Sequence, residues 1–415
     1  MVVPIPKKKV CESKFWIPEN KDFENVVTNS WFDGQKLVSN IDTATETKID
    51  TTVLRCNSIK LNPSYECRKI LDTWFEIYRR VYNTAIRHFR KNKICNKLKA
   101  RSVITSFIKK NKELAKLIEQ SDIYKHTTDN AIFDVVKAYK TGFANLKGKN
   151  IKFFRLRYKK ASSPRKIIVL EPTTFNDDGT GLRKKALYDL KPSEIIRTSH
   201  DVRLGYCTRT KQYTLHVPCE KKNKVVLKRN KQCSLDPGIR TFQTIYSDSG
   251  TCVKACSNLS KIQNSLDKID KANTFRDTRK YKKCTGRLYD KIRNRIADLH
   301  WKTAKYLCTN YDNIYIGKLS TKSIVGSDSV LIKRSKRLCY ALSHYLFRQR
   351  LLSKAEEYNT IVHECDESYT TKTCGKCGEQ NDNVGSSKIF RCPCCNFVLD
   401  RDVNGARNIM IKNTE

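Results

Sequence analysis

The chain has 415 residues, 39% of them apolar, enough for two or three domains with buried cores. Lys and Arg number 82 against 42 Asp and Glu, a formal charge of +40 spread through every third of the sequence. Self-repulsion on that scale calls for a polyanionic partner, nucleic acid before an anionic membrane surface, and no run reaches the ~18 apolar residues of a membrane span. A ribosomal or chromatin-like scaffold would share this charge. The N-terminus lacks the apolar core of a secretory signal, while Pro6-Lys7-Lys8-Lys9-Val10 has the form of a short nuclear import signal, a form that Lys-rich composition also produces. Most of the 18 cysteines are scattered, which suits a reducing intracellular compartment better than a disulfide framework.

In chain order, residues 1–51 show no sustained periodicity and read as a leader. Residues 52–61 suit a strand that Asn62-Pro63 stops. Ile70, Trp74, Tyr78 and Val81, with Leu71, Phe75 and Tyr82, recur at helical spacing to about Phe89. Trp74 and Tyr78 therefore fit a helix core better than base stacking. Lys-rich helical segments continue to Leu146, and Lys147-Gly148-Lys149-Asn150 turns the chain towards strand. Ile167 begins a short apolar run, and Tyr213, Leu215 and Val217 alternate with polar residues. After a basic linker at residues 221–231, a second unit begins at Cys233. It reads as a strand from Ser234, a hairpin turn near Asp248-Ser249-Gly250 and a second strand, then a long basic helical stretch to Leu307. A strand at residues 313–316, one helix over about 338–358 and a strand at 360–365 follow.

Two motifs carry chemistry. Cys374-x2-Cys377 and Cys392-x2-Cys395 are separated by 14 residues, the spacing of two knuckles that converge four thiolates on one tetrahedral Zn²⁺. With every coordination position filled, that ion is structural. Cys394 adjoins Cys395 and leaves the fourth ligand open, the x2 spacing favouring Cys395. The second motif is a pair of aspartates: Asp236, in an apolar strand, and Asp402, at a helix start. Alone, Asp236-Pro-Gly suits a turn and Asp402 a helix N-cap. Together they bracket an α/β unit as the carboxylates of a ribonuclease-H-like site do, where several acids converge on two Mg²⁺ ions.

Ser-Leu-Asp236-Pro-Gly, Arg293-x4-Asp298-x-His300, His344-Tyr-Leu-Phe-Arg-Gln-Arg-Leu, Tyr369-Thr-Thr-Lys-Thr-Cys374-Gly-Lys-Cys377 and Asp400-Arg-Asp402-Val-Asn404-Gly-Ala-Arg-Asn408 together resemble TnpB. Arg79-Arg-Val-Tyr82-Asn83 resembles that family's first recognition helix, and the resemblance spans roughly residues 52–415. It implies a multidomain, bilobed α/β protein. Residues 52–62 and 151–227 would form a wedge β-barrel, residues 63–150 a helical recognition lobe, and residues 228–415 a RuvC-like nuclease with a zinc ribbon at 370–398. It also implies a guide RNA, double-stranded target DNA, two catalytic Mg²⁺ ions and a monomeric ribonucleoprotein in the nucleus. Asp236 and Asp402 are the carboxylates carried over, with Asp400 the lesser partner. The sequence departs from TnpB where Gly317 stands in place of the catalytic Glu. Either the nuclease is dead or a neighbouring strand supplies the acid. The second arrangement marks the eukaryotic and viral Fanzor branch and points to Glu367, with Asp366 and Glu364 beside it.

Arg165-Lys166, Lys184-Lys185 and residues 221–231 could line a channel for a nucleic-acid backbone, although each alone also suits a solvated face. The competing readings are a catalytically silent nucleic-acid-binding protein and a strand-joining transposase.

Overall fold

The computed structural model describes residues 16–17, 52–92, 96–184, 187, 190–223, 230–256, 258–272, 278–319, 321–326, 331–385 and 387–414. The Pro6–Val10 run, Lys185 and residues 224–229 lie outside them. The chain divides into two compact units, residues 54–221 and residues 1–53 with 222–415.

In the unit of residues 54–221, β2 (Thr52–Leu61) leads into α1 (Tyr65–Phe89), β1 being the two-residue strand Trp16–Ile17 of the other unit. The Ser64 hydroxyl caps α1 by accepting the Cys67 N–H at 3.3 Å. Then come α2 (Lys97–Lys110), α3 (Lys112–Gln120), α4 (Lys125–Lys147), β3 (Arg165–Leu170), β4 (Val202–Cys207) and β5 (Gln212–Lys222). The strands lie in the open order β2-β5-β4-β3, with β4 antiparallel to both neighbours. Among the described residues they form a four-stranded sheet and not a closed barrel. The sequence separates a β domain from a helical lobe, but Ile59, Leu71, Ile132, Ile168 and Leu215 are buried in one core. Helix α1 is apolar on too broad a face to be satisfied by helices alone, so its remaining stripe packs on the sheet, against β3 and with Phe75 meeting Tyr206 of β4. Trp74 and Tyr78 are buried there, the Trp74 indole N–H donating to the Ser121 carbonyl at 3.0 Å and the Tyr78 hydroxyl to Asp134 at 2.7 Å.

Residues 151–160 form an extended strap outside any sheet. Its backbone groups are met by α1 side chains instead. Asn83 donates to the Lys159 carbonyl at 3.0 Å and accepts the Lys159 N–H at 2.8 Å. Arg79 donates to the same carbonyl at 3.3 Å, and Arg90 to that of Leu156 at 2.7 Å. The Lys159 ammonium lies 3.8 Å from the Tyr82 ring centroid, and burial pushes its pKa down. Arg79 and Asn83, in the segment resembling a recognition helix, thus clamp the strap.

In the other unit a six-stranded sheet has the order β1-β8-β7-β6-β9-β10. Here β6 (Gln232–Pro237), β7 (Gln243–Ser247) and β8 (Cys252–Ala255) run antiparallel, and β9 (Asn313–Gly317) and β10 (Ile361–Cys365) extend the sheet in parallel beside β6. The single hairpin expected is therefore two, the first turning at residues 238–242. Helices α5 (Ser260–Ala272), α6 (Arg279–Asn310), α7 (Thr321–Val325), α8 (Lys333–Leu342) and α9 (His344–Tyr358) connect these strands. The single helix expected over 338–358 is broken at Ser343, held left-handed at φ 51°, with its hydroxyl donating back to the Tyr340 carbonyl at 3.1 Å. After a small hairpin of β11 (Ile389–Arg391) and β12 (Val398–Asp400) comes α10 (Arg401–Thr414). Strand alternation sends Ile245 into the core with α5, α6 and α9, and Tyr246 into a second one with Val403, Ala406 and Met410 of α10. Helix α10 therefore covers the opposite face from α6 and α9.

His300 and His344 are part of the first core. The Phe242 ring lies between them, its centroid 5.1 and 5.3 Å from theirs. His300 Nε2 donates to the Leu342 carbonyl at 2.9 Å while Nδ1 accepts from Arg350 at 3.0 Å, and burial pushes its pKa down to about 3. It is a neutral packing residue.

Asn83→Ala removes both hydrogen bonds to Lys159, at a cost of about 1–3 kcal/mol. The expected outcome is faster tryptic cleavage of the full chain after Arg155, Arg157 and Lys160; an unchanged digestion rate would count against the clamp.

Candidate active site and metal centre

Three parallel strands end at one edge of the sheet. Leu235 pairs with Ile316, and Cys365 pairs with Gly317, so Asp236, Gly317 and the residues after Cys365 share that edge. Helix α10 approaches the same place. The Ser234 hydroxyl donates to the Ala406 carbonyl at 2.6 Å, and a Cβ at Gly405 would stand 2.9 Å from Asp236 Oδ2. Glycine there lets the Asp236 carboxylate lie against the helix.

Asp402 is in the first turn of α10, but Asp400 performs the capping: its Oδ1 accepts the N–H groups of Asp402 at 2.9 Å and Val403 at 3.3 Å. Asp400 also pairs with Lys254 at 3.1 Å. Asp402 is thereby free of the cap role that its position suggested. Of the three acids at the end of β10, Glu364, within the strand, pairs with Arg348 at 3.3 Å and Asp366, just after it, with Lys412 at 3.1 Å, both at the surface. Glu367 is half-buried beside Gly317, and a Cβ at Gly317 would overlap its Oε2. The residue missing at 317 and the one present at 367 compete for a single space.

The electrostatics of the edge are unfavourable to anions. Burial pushes the Asp236 carboxyl well above the usual range, and the charges of Asp402 and Glu367 push it further. Burial, with Asp366, raises Glu367 to about 7; burial, with Asp400, raises Asp402. Among the described residues, the only set of three or more His, Cys, Asp or Glu whose ligand atoms all lie within 4.8 Å is the cysteine cluster, so the three acids are more widely spread. Two ions ~3.5–4 Å apart need such a spread, because the outer carboxylates then bind different ions. An all-oxygen, anion-repelling set suits a hard divalent cation such as Mg²⁺.

The four sulfurs of Cys374, Cys377, Cys392 and Cys395 converge. Cys374 and Cys395 are 3.6 Å apart and Cys377 and Cys392 3.5 Å, far beyond a disulfide. These separations suit a tetrahedron with metal–sulfur bonds of ~2.3 Å, whose edge is about 3.8 Å. The set could hold one Zn²⁺; Cys394 is exposed and outside it. The centre is tied to α10 by two asparagines that sequence reasoning left without a role. Asn404 Oδ1 accepts the Gly375 N–H at 3.1 Å and its amide donates to the Thr373 carbonyl at 2.7 Å. The Asn408 amide donates to the carbonyls of Thr370 at 2.8 Å and Thr373 at 2.7 Å. Their i, i+4 spacing on α10 was the available signal.

The basic groups are less distinctive. Lys166 pairs with Asp72 at 3.7 Å and Lys184 with Asp122, while Arg165 lines a cavity of about 250 Å³ with Lys159, Lys160 and Arg203. No helix among the described residues is long and apolar enough to cross a membrane.

Fold and site define a basic, mixed α/β protein with an acidic edge and a cluster of four cysteines able to hold a metal ion. Residues 344–409 match the Cas12f1-like TNB domain family. The chain is 32% identical to a TnpB-like protein of Acanthamoeba polyphaga mimivirus, over 98% of this chain and 86% of the relative, and it belongs to the TnpB-like family. It is 26% identical to a putative RNA-guided DNA endonuclease of Escherichia coli strain K12, over 42% of this chain and 47% of that one. Among solved structures it is similar to CasPhi-2 (Cas12j) bound to crRNA, at 10% identity and a TM-score of 0.40, over 86% of this chain and 98% of that one.

Two substitutions probe these centres. Cys395→Ser should lower the zinc content measured by mass spectrometry well below one ion per chain, and Cys394→Ser should leave it unchanged; the reverse order would move the fourth ligand to Cys394. Gly317→Ala should displace Glu367 and weaken Mg²⁺ binding by at least ~10-fold in calorimetry, the scale seen when a metal's outer partners are lost. Unaltered binding would remove Glu367 from the ion site.

Proposed function

We propose that the chain is an RNA-guided DNA endonuclease that hydrolyses phosphodiester bonds of double-stranded target DNA at Asp236, Glu367 and Asp402. The observation that carries this is the overlap of Glu367 Oε2 with the space above Gly317, in the field of Asp236. It supplies the third carboxylate that the departure at Gly317 removes. The parallel β6-β9-β10 edge with α10 across the sheet supports a RuvC-like nuclease at residues 228–415, with the zinc ribbon of residues 370–398 inserted. The wedge (52–62 and 151–227) and recognition (63–150) segments would then hold the guide RNA. Membership of the TnpB-like family and the name of the Escherichia coli relative support the guided activity.

Asp236, Glu367 and Asp402 would hold two Mg²⁺ ions, which when bound activate the attacking water and stabilise the leaving oxygen. The chain's own part is electrostatic and positional. Strand β6 and Gly405 fix Asp236, Asp400 caps α10 so that Asp402 projects freely, and the empty Cβ position of Gly317 admits Glu367. The four-cysteine centre, bound to α10 through Asn404 and Asn408, braces the helix that carries Asp402. The same reading takes the protein as a monomeric ribonucleoprotein of the Fanzor type, entering the nucleus through its Pro6–Val10 run.

The test is cleavage by the purified protein with its bound RNA, sequenced to define a matching duplex. Mg²⁺-dependent breaks are expected, falling by more than ~100-fold in Asp236→Ala and Glu367→Ala, since loss of a ligand exceeds the ~10–100-fold loss from outer partners. Gly317 favours the silent binding protein as the second reading; an RNA-loaded protein that binds the duplex and leaves it intact would establish that one. Joined strands among the products would indicate a transposase.

A further inference from the structure

Helix α10 turns one face, Asn404, Arg407 and Asn408 at i, i+3 and i+4, towards the first Cys-x2-Cys knuckle. The two asparagines spend their amides on the backbone of that knuckle and the segment before it. Arg407 makes no such bond. Its stem passes Gly375, between Cys374 and Cys377, so closely that a Cβ there would stand 3.2 Å from Arg407 Cδ. Its guanidinium lies over the Phe397 ring, 5.8 Å from the centroid. Phe397 belongs to the second knuckle: its carbonyl accepts the Cys392 N–H at 2.9 Å, and its side chain packs on the small core of Cys374, Phe390 and Cys392. The arginine therefore runs from one knuckle to the other.

Arg407 is only 2% exposed, and its Nε and Nη2 have no hydrogen-bond partner among the described residues. No carboxylate among them pairs with it either. A guanidinium cannot shed its charge on burial, as a lysine or a carboxylate can. A buried cation with open N–H groups is strongly unfavourable unless an anion lies close by. The acidic edge is not that anion. Gly405 is the residue of α10 that meets Asp236, and a helix turns about 200° over the two residues from Gly405 to Arg407. The cysteine centre is the anion at hand, since four thiolates around one Zn²⁺ leave two negative charges uncancelled. Backbone N–H groups relieve part of that excess, Lys376 donating to Cys374 Sγ and Cys395 to Cys392 Sγ, both at 3.4 Å. These are partial charges, and a whole one lies alongside.

We infer that Arg407 is the buried counter-charge of the zinc-loaded cysteine centre, offsetting its excess negative charge and coupling zinc retention to α10. The inference needs the four cysteines to hold zinc; it does not need the nuclease reading. The test compares the full chain with Arg407→Met, which fills the space without the charge, and Arg407→Lys, which keeps the charge. Zinc affinity, measured by competition with a chelator, is expected to fall at least ~10-fold in Arg407→Met and clearly less in Arg407→Lys. Melting temperatures separate charge from packing. Zinc-loaded Arg407→Met should melt below the unmodified chain, whereas zinc-free Arg407→Met should melt level with the unmodified zinc-free chain or above it, because without zinc the buried cation has nothing to offset. Unchanged affinity in Arg407→Met, equal losses in the two variants, or the same lowering of melting temperature with and without zinc would each overturn the assignment. An unmodified chain that retains no zinc would overturn it by removing the centre itself. None of these measurements reads cleavage, so their failure is distinct from failure of the nuclease reading.

Discussion

Burial of carboxyl groups away from water, with repulsion from Asp402 and Glu367 added at Asp236, is the constraint around which the acidic edge of the sheet is built. An isolated buried carboxylate avoids the cost by taking a proton, as the raised pKa values of Asp236, Glu367 and Asp402 record. Their closeness is enforced by neighbours that cannot relax. The parallel pairing of β6, β9 and β10 brings three strand ends level, and α10 is bonded to β6 through Ser234. Two further acids are kept out of the cluster: Asp400 is occupied by Lys254 and the helix cap, Asp366 by Lys412 and Ser368. The result is an edge whose acids ionise together only when a cation offsets their charge.

The chemistry of this edge was partly legible in the sequence, because motif spacing survives without coordinates. The two Cys-x2-Cys knuckles announced a converging set of thiolates, and the order of apolar runs located most strands and helices. What could not be read were facts that depend on a through-space neighbour. Ser343 breaks a helix whose periodicity is uninterrupted, because backbone geometry at one residue leaves no trace in apolar spacing. The turn at residues 238–242 had its signal in Asp236-Pro-Gly, but the hairpin was placed one turn later, at Asp248-Ser249-Gly250. The shared core of sheet and helices in residues 54–221 was likewise invisible, since periodicity shows that a face is apolar and not what covers it.

Polar residues in helices were the most misleading class. Asp402 has the composition of a cap, yet Asp400, two residues earlier, takes that part. Arg79 and Asn83 have the character of surface contacts for a ligand, yet they meet the backbone of the strap. Asn404 and Asn408 do the same for the segment around Thr373. In each case an irregular stretch of chain, with no ladder of its own, borrows hydrogen-bonding groups from a helix face. Asn404 and Asn408 thereby hold the segment beside the cysteine cluster, as Arg79 and Asn83 hold the strap of the other unit.

The overlap between Glu367 and the Cβ position of Gly317 also bears on descent. A chain bearing bulky acids at both positions would crowd its own sheet edge, so the two arrangements of the third acid exclude each other sterically. Exchange of one for the other by single steps therefore passes first through loss of the side chain at 317, leaving for a time a protein with two acids at the edge.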